Sequence, residues 1–119
     1  MRWALLLAAV GCGSGNGPGA GSDSGGSGAG DVCAGAPVVT WDNFGAGFVT
    51  QHCQTCHAGT STNRQGAPAE VVFDTEADVW AVADRVLIRA AVDPPTMPPQ
   101  GGTSAEDRTL LEVWLTCSR

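Results

Sequence analysis

Residues 13–30 constrain this chain more than any other feature: they are almost wholly Gly, Ser, Ala, Asn and Asp, with one Pro. Such a tract has nothing apolar to bury and is expected to stay disordered. The chain has 119 residues. That leaves residues 31–119, roughly 90 residues, to fold as one small domain. A core of that size is marginal unless a disulfide, a metal or a bound cofactor staples it. The tract lacks Walker spacing and follows no strand, so phosphate binding is discounted. As a Gly-rich coil it would span roughly 25 Å, at about 5–6 Å × √n.

Residues 1–12 read as an export leader. Arg2 precedes a short apolar run, Ala4 to Val10, and small residues close it. The end, Ala9-Val10-Gly11-Cys12, resembles the lipobox of bacterial lipoproteins, with Ala9 where that family usually carries Leu. The resemblance implies lipidation of Cys12, tethering to a membrane at its periplasmic face, and a mature chain that starts there. The alternative is ordinary cleavage after Gly11, leaving Cys12 as a thiol. Gly13 lacks the Asp that marks inner-membrane retention in some bacteria, which favours the outer membrane.

The formal net charge is −6, with six Arg and no Lys. An acidic chain is a poor partner for nucleic acid and for anionic lipid headgroups. No stretch is long enough to span a bilayer as a mature helix.

Chemistry enters at Cys53-Gln54-Thr55-Cys56-His57. C-x-x-C-H is the attachment pattern for c-type haem. Two thiols must add to the two vinyl groups on one porphyrin edge, and two intervening residues set the reach. The following His57 can then ligate iron from the proximal side. Three other readings compete: a thioredoxin-like redox pair, three of four zinc ligands, and an accidental match. The first needs strands the chain does not signal. The second makes an awkward chelate from adjacent Cys56 and His57.

Met97 is the only methionine besides Met1. It sits in Asp93-Pro94-Pro95-Thr96-Met97-Pro98-Pro99-Gln100-Gly101, flanked by four of the seven prolines. Proline fixes φ and removes a donor, so this is a stiff, extended loop. A stiff loop presents a weak thioether ligand without an ordering cost, and Met97 is expected as the distal ligand. The plain alternative is a Pro-rich turn with Met as filler. His52 directly precedes Cys53 and is read as a solvated helix residue.

Three segments carry helical periodicity. In 42–53, Phe44, Phe48 and Val49 share a face, with Asp42 as cap. In 75–91, Thr75-Glu76-Ala77-Asp78 approximates a capping box. Val79, Val82, Val86 and Ala90 form its stripe, with Trp80 and Leu87 beside them. In 104–117, Ser104 caps and Leu110, Leu111, Trp114 and Leu115 share a face. The expectation is an all-α domain.

Over about residues 40–117 these features resemble the small monohaem cytochrome c family. Gly45 and Val49 precede Cys53 at the spacing of that family's N-terminal helix contacts. Leu111, Trp114 and Leu115 look like its C-terminal helix pattern. The resemblance implies a cytochrome c-like fold of about three helices around one covalent haem, with the two terminal helices crossing closely at the glycine. It implies Cys53 and Cys56 as attachment sites, His57 as proximal ligand and Met97 as distal ligand. The lysines common around the haem edge of mitochondrial members are absent, so docking to an acidic oxidase surface is not expected.

Of the five cysteines, Cys12 is then assigned to lipid and Cys53 and Cys56 to haem. Cys33 and Cys117 remain, just before the first helix and at the end of the last. If those helices pack together their outer ends could meet, and a disulfide is expected in an exported protein. Two free thiols, or pairing between chains, are the alternatives. Arg85 and Arg89 lie four residues apart on one helix face. They are read as solvated charges pairing with nearby Asp or Glu, with a haem propionate as the other option for one of them.

The expected function is single-electron transfer with unidentified redox partner proteins, not catalysis. No acid–base pair or nucleophile array points to hydrolysis, and there is no second haem motif. The competing classes are a haem enzyme or sensor with an open distal site, a non-haem thiol oxidoreductase, and a structural surface lipoprotein.

Overall fold

The computed structural model describes residues 29–119. The expected leader, Cys12 and nearly all of the 13–30 tract lie outside the described residues. Helices α1 (Ala29–Cys33), α2 (a π-helical turn Trp41–Gly45 running into Ala46–His52), α3 (Gln54–His57) and α4 (Glu76–Ala81) come first. Helix α5 (Ala83–Val86, ending in a π-helical turn Leu87–Ala91) and α6 (Ala105–Cys117) complete the order. The described residues contain no strand, so the all-α expectation holds at that level. None of their helices is long and apolar enough to cross a membrane.

Local chemistry explains the helix starts. Thr40 is extended, and its hydroxyl accepts the Asn43 N–H at 3.2 Å while Asn43 Oδ1 accepts the Thr40 N–H at 2.7 Å. This reciprocal box opens α2 two residues before the expected cap, Asp42. The Gly45 N–H then reaches back to the Thr40 carbonyl at 3.0 Å, which makes the first turn a π turn. Thr75 and Asp78 form the box expected for α4. Asp78 accepts bonds from the Thr75 hydroxyl and the Thr75 and Asp74 N–H groups, which hold its carboxyl below its ordinary pKa. Ser104 caps α6 through the Asp107 N–H at 3.0 Å.

The 75–91 helix is not continuous. Val82 has φ −131° and ψ 27°, which ends α4, and α5 restarts at Ala83. Val79, Val86 and Ala90 are buried as the stripe required. Val82 is only partly buried and lies on a cleft wall.

Helix α6 carries the core. Leu111, Trp114 and Leu115 are fully buried, and α1, the π turn of α2 and the end of α5 all pack against it. Trp114 is bracketed by Trp41 and Trp80, with ring centroids 5.8 and 5.4 Å away. Gly45 meets it directly: a Cβ there would lie 2.9 Å from two ring carbons of Trp114 and 3.0 Å from Trp41. The outer ends of α1 and α6 are joined by a Cys33–Cys117 disulfide, with Cα atoms 5.6 Å apart and 84 residues of separation. The Ser118 hydroxyl adds a bond to the Val39 carbonyl at 2.7 Å.

Two stability outcomes follow from this packing. Gly45→Ala places a methyl group against a ring that Trp41 and Trp80 hold in place. Overpacking costs about 1–3 kcal/mol, against a helix-propensity gain of up to about 1 kcal/mol. A lower Tm in a thermal melt is expected, and an unchanged or higher Tm would show that the ring yields. Replacing Cys33 and Cys117 together by Ser frees a long loop in the unfolded chain. The loss is at most about 4–5 kcal/mol in the chain-entropy account, read from the urea midpoint with and without reductant; reductant should destabilise the parent and leave the double variant unchanged.

Candidate functional site

Short helix α3 displays the C-x-x-C-H segment, and contacts from a returning loop fix it. Residues 58–74 loop away and return, so that the Phe73 N–H donates to the His57 carbonyl at 2.8 Å. The Gln54 side-chain amide donates to the Phe73 carbonyl at 2.9 Å. The Gly59 N–H is held by both carboxylate oxygens of Asp74, at 3.0 and 3.1 Å. Phe73 is buried and lies against the His57 ring, with centroids 4.9 Å apart.

The His57 ring is oriented by its Nδ1, 3.0 Å from the Val71 carbonyl oxygen. A carbonyl only accepts, so Nδ1 is the donor, and in the neutral ring this leaves the Nε2 lone pair for a ligand. That is the tautomer a metal-binding histidine takes when a backbone carbonyl supports it. The same oxygen accepts a bond from Arg64 Nη2 at 2.8 Å.

Cys53, Cys56 and His57 face a cleft of about 350 Å³, within the range of small-molecule and cofactor clefts, about 300–1,000 Å³. Phe48, Val71, Phe73, Val82, Val86 and Ala90 give it an apolar lining. Met97 lines the same cleft from the far segment. Its loop is tied to α5 through one carbonyl: the Thr96 and Met97 N–H groups both donate to the Arg89 carbonyl, at 2.8 and 2.9 Å. The Met97 side of the rim also meets the 58–71 loop, through a Gln100 to Gln65 side-chain bond of 2.8 Å. Asp93 at the base of the Met97 loop pairs with Arg108 of α6 at 2.9 Å.

Burial pushes the Cys53 thiol up to about 12. A thiol-exchange nucleophile needs the opposite, a depressed pKa. Cys53 and Cys56 are both unbridged thiols. Among the described residues, no three His, Cys, Asp or Glu side chains gather into a metal-holding group, so the zinc arrangement has no cage here.

Two expectations need correction. His52 is not simply solvated: it is partly buried, stacks on Phe48 with centroids 4.9 Å apart, and lines the cleft. Its position at the end of α2, one residue before Cys53, turns it along the cleft rim. Arg85 and Arg89 are exposed, but neither pairs with a carboxylate among the described residues. Both line the cleft, because the break at Val82 turns the α5 face toward it. The sequence carried no signal for Arg64, Val71 or Asp74: a lone charge in a polar loop, or a backbone carbonyl, acquires a role only when the loop closes.

The donor set fits a covalent haem. Two unbridged thiols stand with two residues between them, an imidazole follows them, and a thioether lines the same apolar cleft. No protein-family model matches the chain, no curated protein matches its sequence, and no solved structure matches its fold.

Proposed function

We propose that this chain is an exported single-electron carrier of the small monohaem cytochrome c type, with one covalent haem c. One observation carries the reading. Cys53, Cys56 and His57 line one apolar cleft together with Met97, about forty residues away in the chain, and the His57 ring is held with Nε2 available. The close contact of Gly45 with Trp114 supports the cytochrome c-like fold, since it is the contact the family resemblance calls for.

Each residue has a task. Cys53 and Cys56 hold the porphyrin through thioether bonds. His57 is the proximal ligand, kept in its tautomer by the Val71 carbonyl. Met97 is the distal ligand, on a loop anchored to Arg89. Arg85 and Arg89, unpaired among the described residues, are suited to the two propionates, as charge-assisted donors at the cleft. Phe48, Phe73 and Val86 keep water from the site. The bound group supplies a one-electron ferric–ferrous couple, and a thioether ligand raises its potential. On this reading Cys12 bears the lipid, residues 13–30 are the tether, and the partners are redox proteins at the periplasmic face of a bacterial membrane.

The primary test is a pyridine haemochrome spectrum of protein made with cytochrome maturation machinery. The bands of haem c are expected; colourless mature material with two unmodified thiols would overturn the proposal. Cys53→Ala combined with Cys56→Ala should abolish covalent haem and leave little mature folded protein, as judged by haem staining and circular dichroism. A stable, fully folded double variant would point to a domain that does not need the cofactor. Met97→Ala should keep haem attached while the ferric spectrum turns from low-spin to high-spin. Persistence of the parent spectrum would remove Met97 from the ligand set.

A further inference from the structure

Arg64 is the most heavily bonded side chain in the described domain. Its guanidinium donates to four backbone carbonyls: Ala58 at 2.8 Å, Pro68 at 2.8 Å, Val71 at 2.8 Å and, more weakly, Ala67 at 3.4 Å. It is half-buried and has no carboxylate partner among the described residues. A cation in an acidic chain has therefore been set in a ring of carbonyl dipoles rather than in an ion pair.

One of those carbonyls is also the support of His57. The Val71 oxygen has two lone pairs, one taken by His57 Nδ1–H and the other by Arg64. The two bonds compete. The more strongly an acceptor pulls on Nδ1–H, the more anionic the imidazole becomes and the more it stabilises the ferric state. A charged donor on the same oxygen draws its electron density away, since charge-assisted bonds are the stronger kind. Neighbouring bonds in a network polarise one another. Arg64 thus weakens the pull on His57 while holding the Val71 carbonyl in the position that orients the ring.

We propose that Arg64 is a positioning residue that tunes His57 through their shared Val71 carbonyl and so raises the reduction potential of the site. The inference rests on the haem reading above. It goes further by assigning a potential-setting role to a residue that does not line the cleft.

The test uses the haem-loaded protein, its Arg64→Gln and Arg64→Lys variants, redox titration, and ¹⁵N NMR of His57 in the ferrous state. Arg64→Gln is expected to keep a low-spin haem and to raise the oxidised-to-reduced ratio at fixed poise about tenfold, a potential about 59 mV lower. Its Nδ1–H resonance should move downfield and exchange more slowly, as a stronger bond to Val71 requires. Arg64→Lys keeps the charge with fewer donors and should fall between. An unchanged potential in Arg64→Gln overturns the proposal. So does a potential that moves while the Nδ1–H signal stays put, because the charge then acts directly and not through His57.

If Arg64→Gln does not accumulate, the wild type decides alone. Through-hydrogen-bond couplings should link the Val71 carbonyl carbon to both His57 Nδ1 and an Arg64 guanidinium nitrogen, and loss of the Arg64 coupling overturns the proposal. Failure of the haem reading is separately visible, since the wild type would then lack haemochrome bands before any variant is made.

Discussion

The close approach of α2 to Trp114 is the contact on which the rest of the domain depends. A domain this small has few residues to bury, so one large side chain must serve several elements at once. Trp114 does so: Gly45 lies on one part of its ring, with Trp41 and Trp80 against it. A Cβ at Gly45 would lie 2.9 Å from the Trp114 ring, so either that ring or α2 must shift. Because α2 runs almost directly into α3, a shift of α2 would carry Cys53, Cys56 and His57 with it. The disulfide between α1 and α6 acts at the outer end of the same packing, where it limits fraying rather than shaping the cleft.

The cleft is built by return rather than by burial alone. Helix α3 is one turn long and could not hold its own orientation. Its stiffness is borrowed from residues 71–74, which come back to bond His57, Gln54 and Gly59. The opposite wall is positioned the same way: the Met97 loop hangs from the Arg89 carbonyl and is tied further by the Asp93–Arg108 pair and the Gln100–Gln65 bond. Two irregular loops, each fastened by backbone bonds to a neighbouring helix, thereby face one another across an apolar space.

What could be read from the sequence was what depends on local order. Capping at Thr75 and Ser104 and the buried stripe of α6 are set within a few positions. The α2 start was misplaced because Asp42 looks like a cap, whereas the reciprocal Thr40–Asn43 pair is the better box. The interruption at Val82 was invisible, since a stripe of Val79, Val82, Val86 and Ala90 fits a continuous helix as well as a broken one. The support of His57 was illegible for a different reason. Its partner is a main-chain oxygen 14 residues away, and main-chain atoms leave no trace in residue identity. Arg64 was passed over because a single arginine among Ser, Thr, Asn and Gln reads as solvated until its carbonyl ring is seen.

The placement of positive charge carries the argument one step further. The chain has twice as many acidic as basic residues. An arginine on such a surface has many carboxylates to pair with, and Arg108 and Arg119 do pair with them. Among the described residues, Arg64, Arg85 and Arg89 do not. One is enclosed by carbonyls behind His57, and two stand at the mouth of the cleft. Leaving cations unpaired in an acidic protein forgoes favourable Coulomb energy, which is small for an exposed pair but not negligible for a half-buried one. The arrangement makes physical sense if the cleft itself receives negative charge. On the proposed reading, the two propionates of a bound haem would bring that charge to Arg85 and Arg89 at the cleft lining.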